Sequence, residues 1–288
     1  MASYRFCRSD DVPLLVDAYN ACFRPPGGAE PIDRERFKWW IRVLELWTSS
    51  CMVATEGDRL IGVVLAAKRE NAGENCVLAV GVHPDFRGLG HGRHMVTSLG
   101  QKLAILGPPR ILVEVPADNE RFRTFLGHCG YEDRESFTDY VLERTTAASA
   151  VPAEMVATIS LEELAEARFP ERGAELPWGR TRDSIARRQE YFESVRAVAL
   201  AGADRFEAAL LVDESTPDKR EILAIYYADE DAGPALTGGL LRHYASLADT
   251  PLHWERVHES ECSAQQAVDW GFRSAANTVR MATTAIPA

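Results

Sequence analysis

Apolar residues in the first half of the chain switch between a two-residue and a 3.6-residue period, and the switches mark the elements. Positions 4–8 alternate as a short strand. Asp10 and Asp11 open an amphipathic helix with Leu14, Leu15, Ala18 and Cys22 on one face. Residues 23–32 carry Pro25-Pro26-Gly27-Gly28 and read as a loop. A second helix is predicted over about 33–46, with Phe37, Trp40, Ile41 and Leu44. Strands follow at 51–55 and 59–68 around the turn Glu56-Gly57-Asp58. Residues 75–83 are a nearly unbroken apolar run, which predicts a central strand buried on both faces. A glycine-rich turn then leads into a helix over 92–106, a strand over 110–115, a helix over 119–128 and a last strand pair within 133–143.

The stretch 145–152 reads Thr-Thr-Ala-Ala-Ser-Ala-Val-Pro and has the composition of an interdomain linker. Beyond it the order of elements repeats in outline. Strands are predicted at 155–159, 195–201, 206–212, 221–227, 252–257 and 278–283, and helices at 161–167, 182–192, 234–247 and 263–270. The expectation is an internal duplication: two α/β domains with mixed sheets, at 1–146 and 153–288.

The 288 residues suit one or two domains, and a hydrophobic fraction of 46% is ample for globular cores. No apolar run reaches the length of a membrane span, and the start lacks the basic-then-apolar order of a signal peptide. The six cysteines lie far apart with no Cys-x-x-Cys pair, so they read as reduced core residues of a cytoplasmic protein without a structural metal. A net charge of −11 disfavours nucleic acid and suits a cationic partner such as a protonated amine, or simply keeps the protein soluble.

The most informative segment is Val80-Gly81-Val82-His83-Pro84-Asp85-Phe86-Arg87-Gly88-Leu89-Gly90-His91-Gly92-Arg93. A strand enters a glycine turn that opens a helix. Amide N–H groups and the helix dipole at such a turn favour an anion, and glycine admits a close backbone approach. Arg87 adds charge at the rim. The reading is a diphosphate cradle whose path leaves no room for large side chains; the alternative is a tight turn that binds nothing. A Rossmann fingerprint is absent because Arg93 stands where its third glycine belongs, and no Gly-Lys-Ser/Thr of a Walker loop follows.

Arg87-x-x-Gly90-x-Gly92, after a strand ending Val82-x-Pro84, resembles the coenzyme A loop of the GCN5-related N-acetyltransferases. Asn119 and the pair Gly130-Tyr131 also fit that family, whereas Phe122 replaces its usual alanine and Leu126 its usual tyrosine. The resemblance covers about 3–144; in the second half only Ala267-Val268-Asp269-Trp270-Gly271-Phe272 echoes it. It implies tandem domains of the acyl-coenzyme A N-acyltransferase fold, with two parallel strands, 75–83 and 110–115, that splay apart. The pantetheine arm of acetyl-coenzyme A would lie in the gap beside Val80 and Val82, with Arg87, Gly88, Leu89, Gly90, His91, Gly92, Arg93 and Asn119 completing the cofactor site. The reaction implied is direct transfer of an acetyl group, or a larger acyl group, to an amine. A small-molecule acceptor is expected, with a protein or peptide acetyltransferase or a non-catalytic sensor of acetyl-coenzyme A as alternatives.

That chemistry needs a proton acceptor, because a lysine-like amine has a pKa near ~10.4. Glu114, in Leu112-Val113-Glu114-Val115, is the candidate base by resemblance to a Leu-Glu-Val stretch of the family, with Glu74 as runner-up. Tyr19, Trp39 and Trp40 are candidates for an acceptor pocket, or else core. His83, His91 and His94 read as surface residues, and Cys129 has no evident partner as a nucleophile. In the second half the matching turn is Ala228-Asp229-Glu230-Asp231-Ala232-Gly233-Pro234; its three carboxylates would repel a diphosphate, which makes that half a degenerate copy. No metal is expected, and the sequence does not indicate an oligomeric state.

Overall fold

The computed structural model describes residues 1–23, 31–144, 151–170, 173–191, 193–216 and 218–285. The chain divides into two compact units: Met1–Glu135 with Val279–Ala288, and Ser136–Thr278. The division falls inside two strands and not in the 145–152 stretch, of which 145–150 lie outside the described residues.

The first unit opens with β1 (Ala2–Phe6), α1 (Val12–Phe23) and α2 (Arg34–Val43). Strands β2 (Met52–Glu56), β3 (Arg59–Arg69) and β4 (Glu74–Val82) follow, then α3 (His91–Leu106), β5 (Arg110–Pro116) and α4 (Glu120–Gly127). Strands β1 to β4 are antiparallel neighbours in sequence order, and β5 lies parallel to β4. Next to β5 lies the end of the last strand in the chain. One face of this sheet packs on α3, through Met95, Val96, Leu99 and Leu103, with Ile111, Val113, Val115, Val279 and Met281. These α3 positions recur at helical spacing, so the sequence itself dictates which stripe is buried. The other face packs on α1 and α2 through Leu15, Ala18, Cys22 and Phe37.

The second unit has the same plan. Strands β7 (Val156–Ile159), β8 (Val195–Ala201), β9 (Phe206–Thr216) and β10 (Lys219–Tyr227) are antiparallel, with α5 (Leu161–Glu166) and α6 (Arg182–Tyr191) between β7 and β8. After α7 (Gly233–Ser246), β11 (Leu252–His258) pairs parallel to β10. Helix α8 (Ala264–Trp270) precedes β12 (Arg273–Thr284). The sixth strand of this unit is the end of β6 (Glu132–Leu142), antiparallel to β11. Each unit is therefore finished by a strand from the other half of the sequence.

The repeat is also visible in detail. Helix α4 ends on Gly130 in the left-handed region, and Tyr131 N–H bonds Leu126 O at 3.1 Å. Helix α8 ends on Gly271 likewise, and Phe272 N–H bonds Ala267 O at 3.0 Å. Both aromatic rings are buried. Only glycine enters that region without strain, which fixes Gly-aromatic as the helix stop in both halves.

Predicted and observed elements coincide to within a few residues, with one correction of kind. Residues 133–143 form no strand pair but the single strand β6; Glu-Asp-Arg-Glu-Ser-Phe-Thr-Asp-Tyr-Val-Leu has neither glycine nor proline to interrupt the extended backbone. All six cysteines are free thiols, and burial pushes Cys7 and Cys22 up to about 11 and Cys51 up to about 12. Among the described residues no helix is long and apolar enough to cross a membrane.

Because the end of β12 completes the first core, Met281→Ala, although late in the chain, is expected to destabilise the unit that contains α3 by ~2–5 kcal/mol. Urea unfolding followed by hydrogen exchange at α3 checks this; an effect confined to the second unit would contradict the division.

Candidate active site

The site is set by where two strands stop pairing. Strands β4 and β5 are matched from Glu74↔Arg110 to Val77↔Val113 and no further. At that point β4 carries a bulge: Ala79 faces Leu65 and Val77 faces Ala66, leaving Leu78 unmatched on β3. The extra residue shifts the side-chain phase. Val77, Val80 and Val82 face α3, while Leu78 and Ala79 face α1 and α2. Past the bulge, His83 N–H bonds Ile61 O at 2.9 Å, so Gly81 and His83 point their backbone groups at β3. By alternation, those of Val80 and Val82 point into the opening fork between β4 and β5.

The loop at the mouth of the fork is held open. Gly88 and Gly90 have φ of 80° and 88°, and a Cβ built on either meets nothing within 4 Å. The expected lack of room is thus corrected: glycine is required here by the left-handed backbone, and the space beside it is free. Gly90 opens α3 without any side-chain cap, so the first amides of α3 are offered outward. Leu89 is 67% exposed between them. Gly92 has a separate reason, since an added Cβ would lie 3.3 Å from the Phe125 ring of α4.

The candidate side chains divide into those turned to the mouth and those committed elsewhere. Arg87 Nε donates to Val82 O at 3.0 Å, and Nη2 to Cys22 O at 3.5 Å, so the guanidinium ties the loop to β4 and α1 while its charge stays at the rim. His91 Nδ1 shares a 2.5 Å hydrogen bond with Tyr4 OH, and His94 packs on the same ring at 4.1 Å. His91 therefore brings its backbone to the cradle and its ring to β1. Arg93 is exposed. Asn119 caps α4, accepting from Phe122 N–H at 3.2 Å. Leu126 is buried in the core beneath α4 and carries no group that could protonate a leaving thiolate.

Neither proposed base stands free in the fork. Glu74 sits at the closed end of the paired strands, 2.9 Å from Arg110, eight residues before Val82. The structure does not bring it to the site. Glu114 lies one residue past the last matched pair, but its carboxylate is 3.0 Å from Arg280 of β12, and both side chains are 6% exposed. Glu135 approaches the same guanidinium at 3.8 Å. An ion pair this buried is a structural brace by its chemistry, since removal of either partner strands a charge. Sequence reading missed Arg280; its only signal was a lone arginine inside an apolar strand.

On the α1 side, Gly81 allows the end of that helix to close on β4: a Cβ there would lie 2.5 Å from Phe23 and 2.8 Å from Cys22. Phe23, which the sequence reading left in a loop, stacks on Tyr19 at 4.5 Å, and Tyr19 meets the edge of Trp40 at 5.2 Å. Burial raises the pKa of the Tyr19 hydroxyl. Trp39 is half-buried on the same helix as Trp40. Next to this aromatic group a cleft of 470 Å³ is lined by Asp17, Asn20, Ala21, Pro31, His83 and Pro84. The Asn20 amide donates to Ile32 O at 2.9 Å and accepts from Ile32 N–H at 2.8 Å, and His83 Nδ1 accepts from Asp85 N–H at 3.3 Å. The proline-glycine stretch predicted as a loop lies outside the described residues. Among the described residues no cluster of His, Cys, Asp and Glu could hold a metal.

The second unit lacks such a mouth. Asp229 turns back to accept from Asp231 N–H at 2.9 Å and Ala232 N–H at 2.7 Å, and these bonds lower its pKa. A carboxylate of the chain itself thus stands in the turn that leads into α7.

Residues 12–131 match the family described as Acetyltransferase (GNAT) family. An acetyltransferase of Photorhabdus laumondii, plu1384, is 29% identical over 131 residues, covering 45% of this chain and 86% of that one. Among solved structures, a GCN5-related N-acetyltransferase from Sphaerobacter thermophilus superposes with a TM-score of 0.69 at 16% identity, over 99% of this chain and 96% of that one. A tandem GNAT protein from the clavulanic acid biosynthesis pathway gives 0.66 at 16% identity over 100% of both chains. At such identity these structures show the shared tandem fold.

Arg280→Met should destabilise the first unit by about 3–5 kcal/mol, because Glu114 is left charged and buried. Arg280→Met with Glu114→Met should recover most of that loss in urea unfolding. A double variant as unstable as the single would show that the pair is not the brace.

Proposed function

We propose, for a chain whose residues 12–131 match the acetyltransferase (GNAT) family, that the first unit binds acetyl-coenzyme A and acetylates the amine of a small molecule by direct transfer. That match supports the coarser statement: an N-acetyltransferase that moves an acyl group from acyl-coenzyme A to an amine. The observation that supports placing the cofactor in the first unit is the open fork with its unobstructed glycine loop.

In this reading the diphosphate lies against the α3 amides, Gly88 and Gly90, within reach of the Arg87 charge. Val80 and Val82 offer backbone partners to the pantetheine arm, and the first free amide past the bulge serves as oxyanion donor. The co-substrate supplies a thioester whose carbonyl carbon accepts the amine. The 470 Å³ cleft is of small-ligand size, and Asp17 at its rim suits a cationic acceptor. Tyr19, Trp39 and Trp40 are proposed as acceptor-side residues on α1 and α2, although the cleft lining itself comes from Asp17, Asn20, Ala21, Pro31, His83 and Pro84. We assign the second unit no cofactor, since its corresponding turn carries the carboxylates Asp229, Glu230 and Asp231 in place of glycines, and we assign the protein to the cytoplasm on its free thiols.

Glu114 serves better as brace than as base, given Arg280. The acceptor then reacts from its neutral fraction, and loss of the thiolate relies on a thiol pKa near ~8.5, since Leu126 replaces a hydroxyl donor.

Calorimetry with coenzyme A should give one site per chain, and Gly90→Val, which places a branched side chain in the free space at a left-handed position, should weaken binding by about tenfold or more. Two equal sites, or undiminished binding by the variant, would sink the assignment.

Glu114→Gln separates the remaining alternatives by turnover, read as free thiol released with an amine panel. A base there would mean a loss of ~10²–10⁴-fold. We expect a change of no more than about threefold, with a lower melting temperature, and a rate that climbs with pH as the amine deprotonates. Thiol release indifferent to every amine would favour a sensor.

A further inference from the structure

The second unit repeats the fork and fills it. Strand β10 is matched to β11 at Arg220↔Leu252 and Glu221↔His253. A bulge follows at once, with Ile222 facing Val212 and Ala224 facing Leu211, so Leu223 is unmatched on β9 as Leu78 is on β3. Between the diverging strands stands the side chain of Arg180, 2% exposed.

Arg180 Nε donates to Glu255 O at 2.7 Å on β11. Nη1 donates to Leu223 O at 3.2 Å, the carbonyl of the bulge itself, and Nη2 to Arg256 O at 2.9 Å. The two remaining N–H groups go to Glu261, both at 2.8 Å. All five donors of a guanidinium are thereby used. Three of them satisfy carbonyls on both sides of the gap, and the bidentate carboxylate cancels the charge.

The turn that delivers this side chain is pinned. Arg180 ends a single 3-10 turn, Trp178–Arg180, in which Arg180 N–H bonds Pro177 O at 2.9 Å. Ser184 Oγ donates to Trp178 O at 2.8 Å, and the Trp178 ring is buried.

We infer that Arg180 is an internal ligand of the second unit: it occupies the slot that a pantetheine arm takes in a loaded unit, and with Glu261 it closes that unit to coenzyme A. The inference rests on the cofactor reading of the first unit for the identity of the excluded ligand. It is independent of the acidic turn, which leads into α7 and is not part of the fork.

Hydrogen–deuterium exchange on the full chain tests it, with pantetheine as the probe because it has no phosphate for the acidic turn to repel. In the wild type, pantetheine should slow exchange over 78–82 and leave 223–227 unchanged. In Arg180→Ala/Glu261→Ala, which removes the guanidinium together with the carboxylate it would strand, exchange over 223–227 should rise about tenfold, and pantetheine should slow it again. Protection of 223–227 by pantetheine in the wild type overturns the inference. So does a folded double variant whose 223–227 amides exchange as in the wild type or ignore the probe. Arg180→Lys covers failure of the double variant to fold. It keeps the charge but cannot span both strands, so exchange over 223–227 and 255–257 should again rise about tenfold, and unchanged exchange overturns the inference. A wild type in which neither pantetheine nor coenzyme A slows 78–82 would instead sink the reading of the first unit and leave the Arg180 variants interpretable alone.

Discussion

A parallel strand pair that stops pairing partway leaves backbone N–H and C=O groups facing one another across a widening gap, and such groups must find partners when buried. Both units are organised around this constraint. In the first, β4 and β5 are unmatched after Val77 and Val113, and α3 opens beside them on Gly90 without a side-chain cap. In the second, a side chain of the same unit meets the carbonyls. One backbone geometry thus recurs in different surroundings, and the difference lies in a few side chains delivered from outside the strands.

The bulges make the fork possible. An extra residue at Leu78 or Leu223 breaks the register with the antiparallel neighbour and turns the strand just where its parallel partner departs. It also moves Val80 and Val82 onto the α3 face with Val77, which keeps the core under α3 continuous past the fork. Gly81 then lets Phe23 and Cys22 close over the opposite face. The turn of β4 away from β5 and the side chains it presents to α3 therefore go with one local insertion.

Much of this was legible along the chain, because the relevant signals are local. Periodicity located nearly every helix and strand, and Arg87-x-x-Gly90-x-Gly92 marked the loop. What escaped reading depends on contacts distant in sequence. Glu114 looks like a catalytic carboxylate until Arg280 arrives from β12, 166 residues later. Arg180 looks like one more arginine before α6 until Leu223, Glu255 and Glu261 surround it. Residues 133–143 predict a pair of strands where the single strand β6 forms, and nothing in them says that its end belongs to the other unit. Domain boundaries read from a small-residue stretch assume that each half keeps its own strands, and this chain exchanges them.

That exchange has a consequence for biosynthesis. The residues that form the loop and fork emerge early from the ribosome, yet the core beneath them lacks Val279, Met281 and Ala285 until the far end of the chain has been made. Meanwhile the edge of β5 stands uncovered beside apolar side chains, the kind of surface that chaperones recognise. The first unit translated is the last to be finished, and its core closes only when the second half has been made.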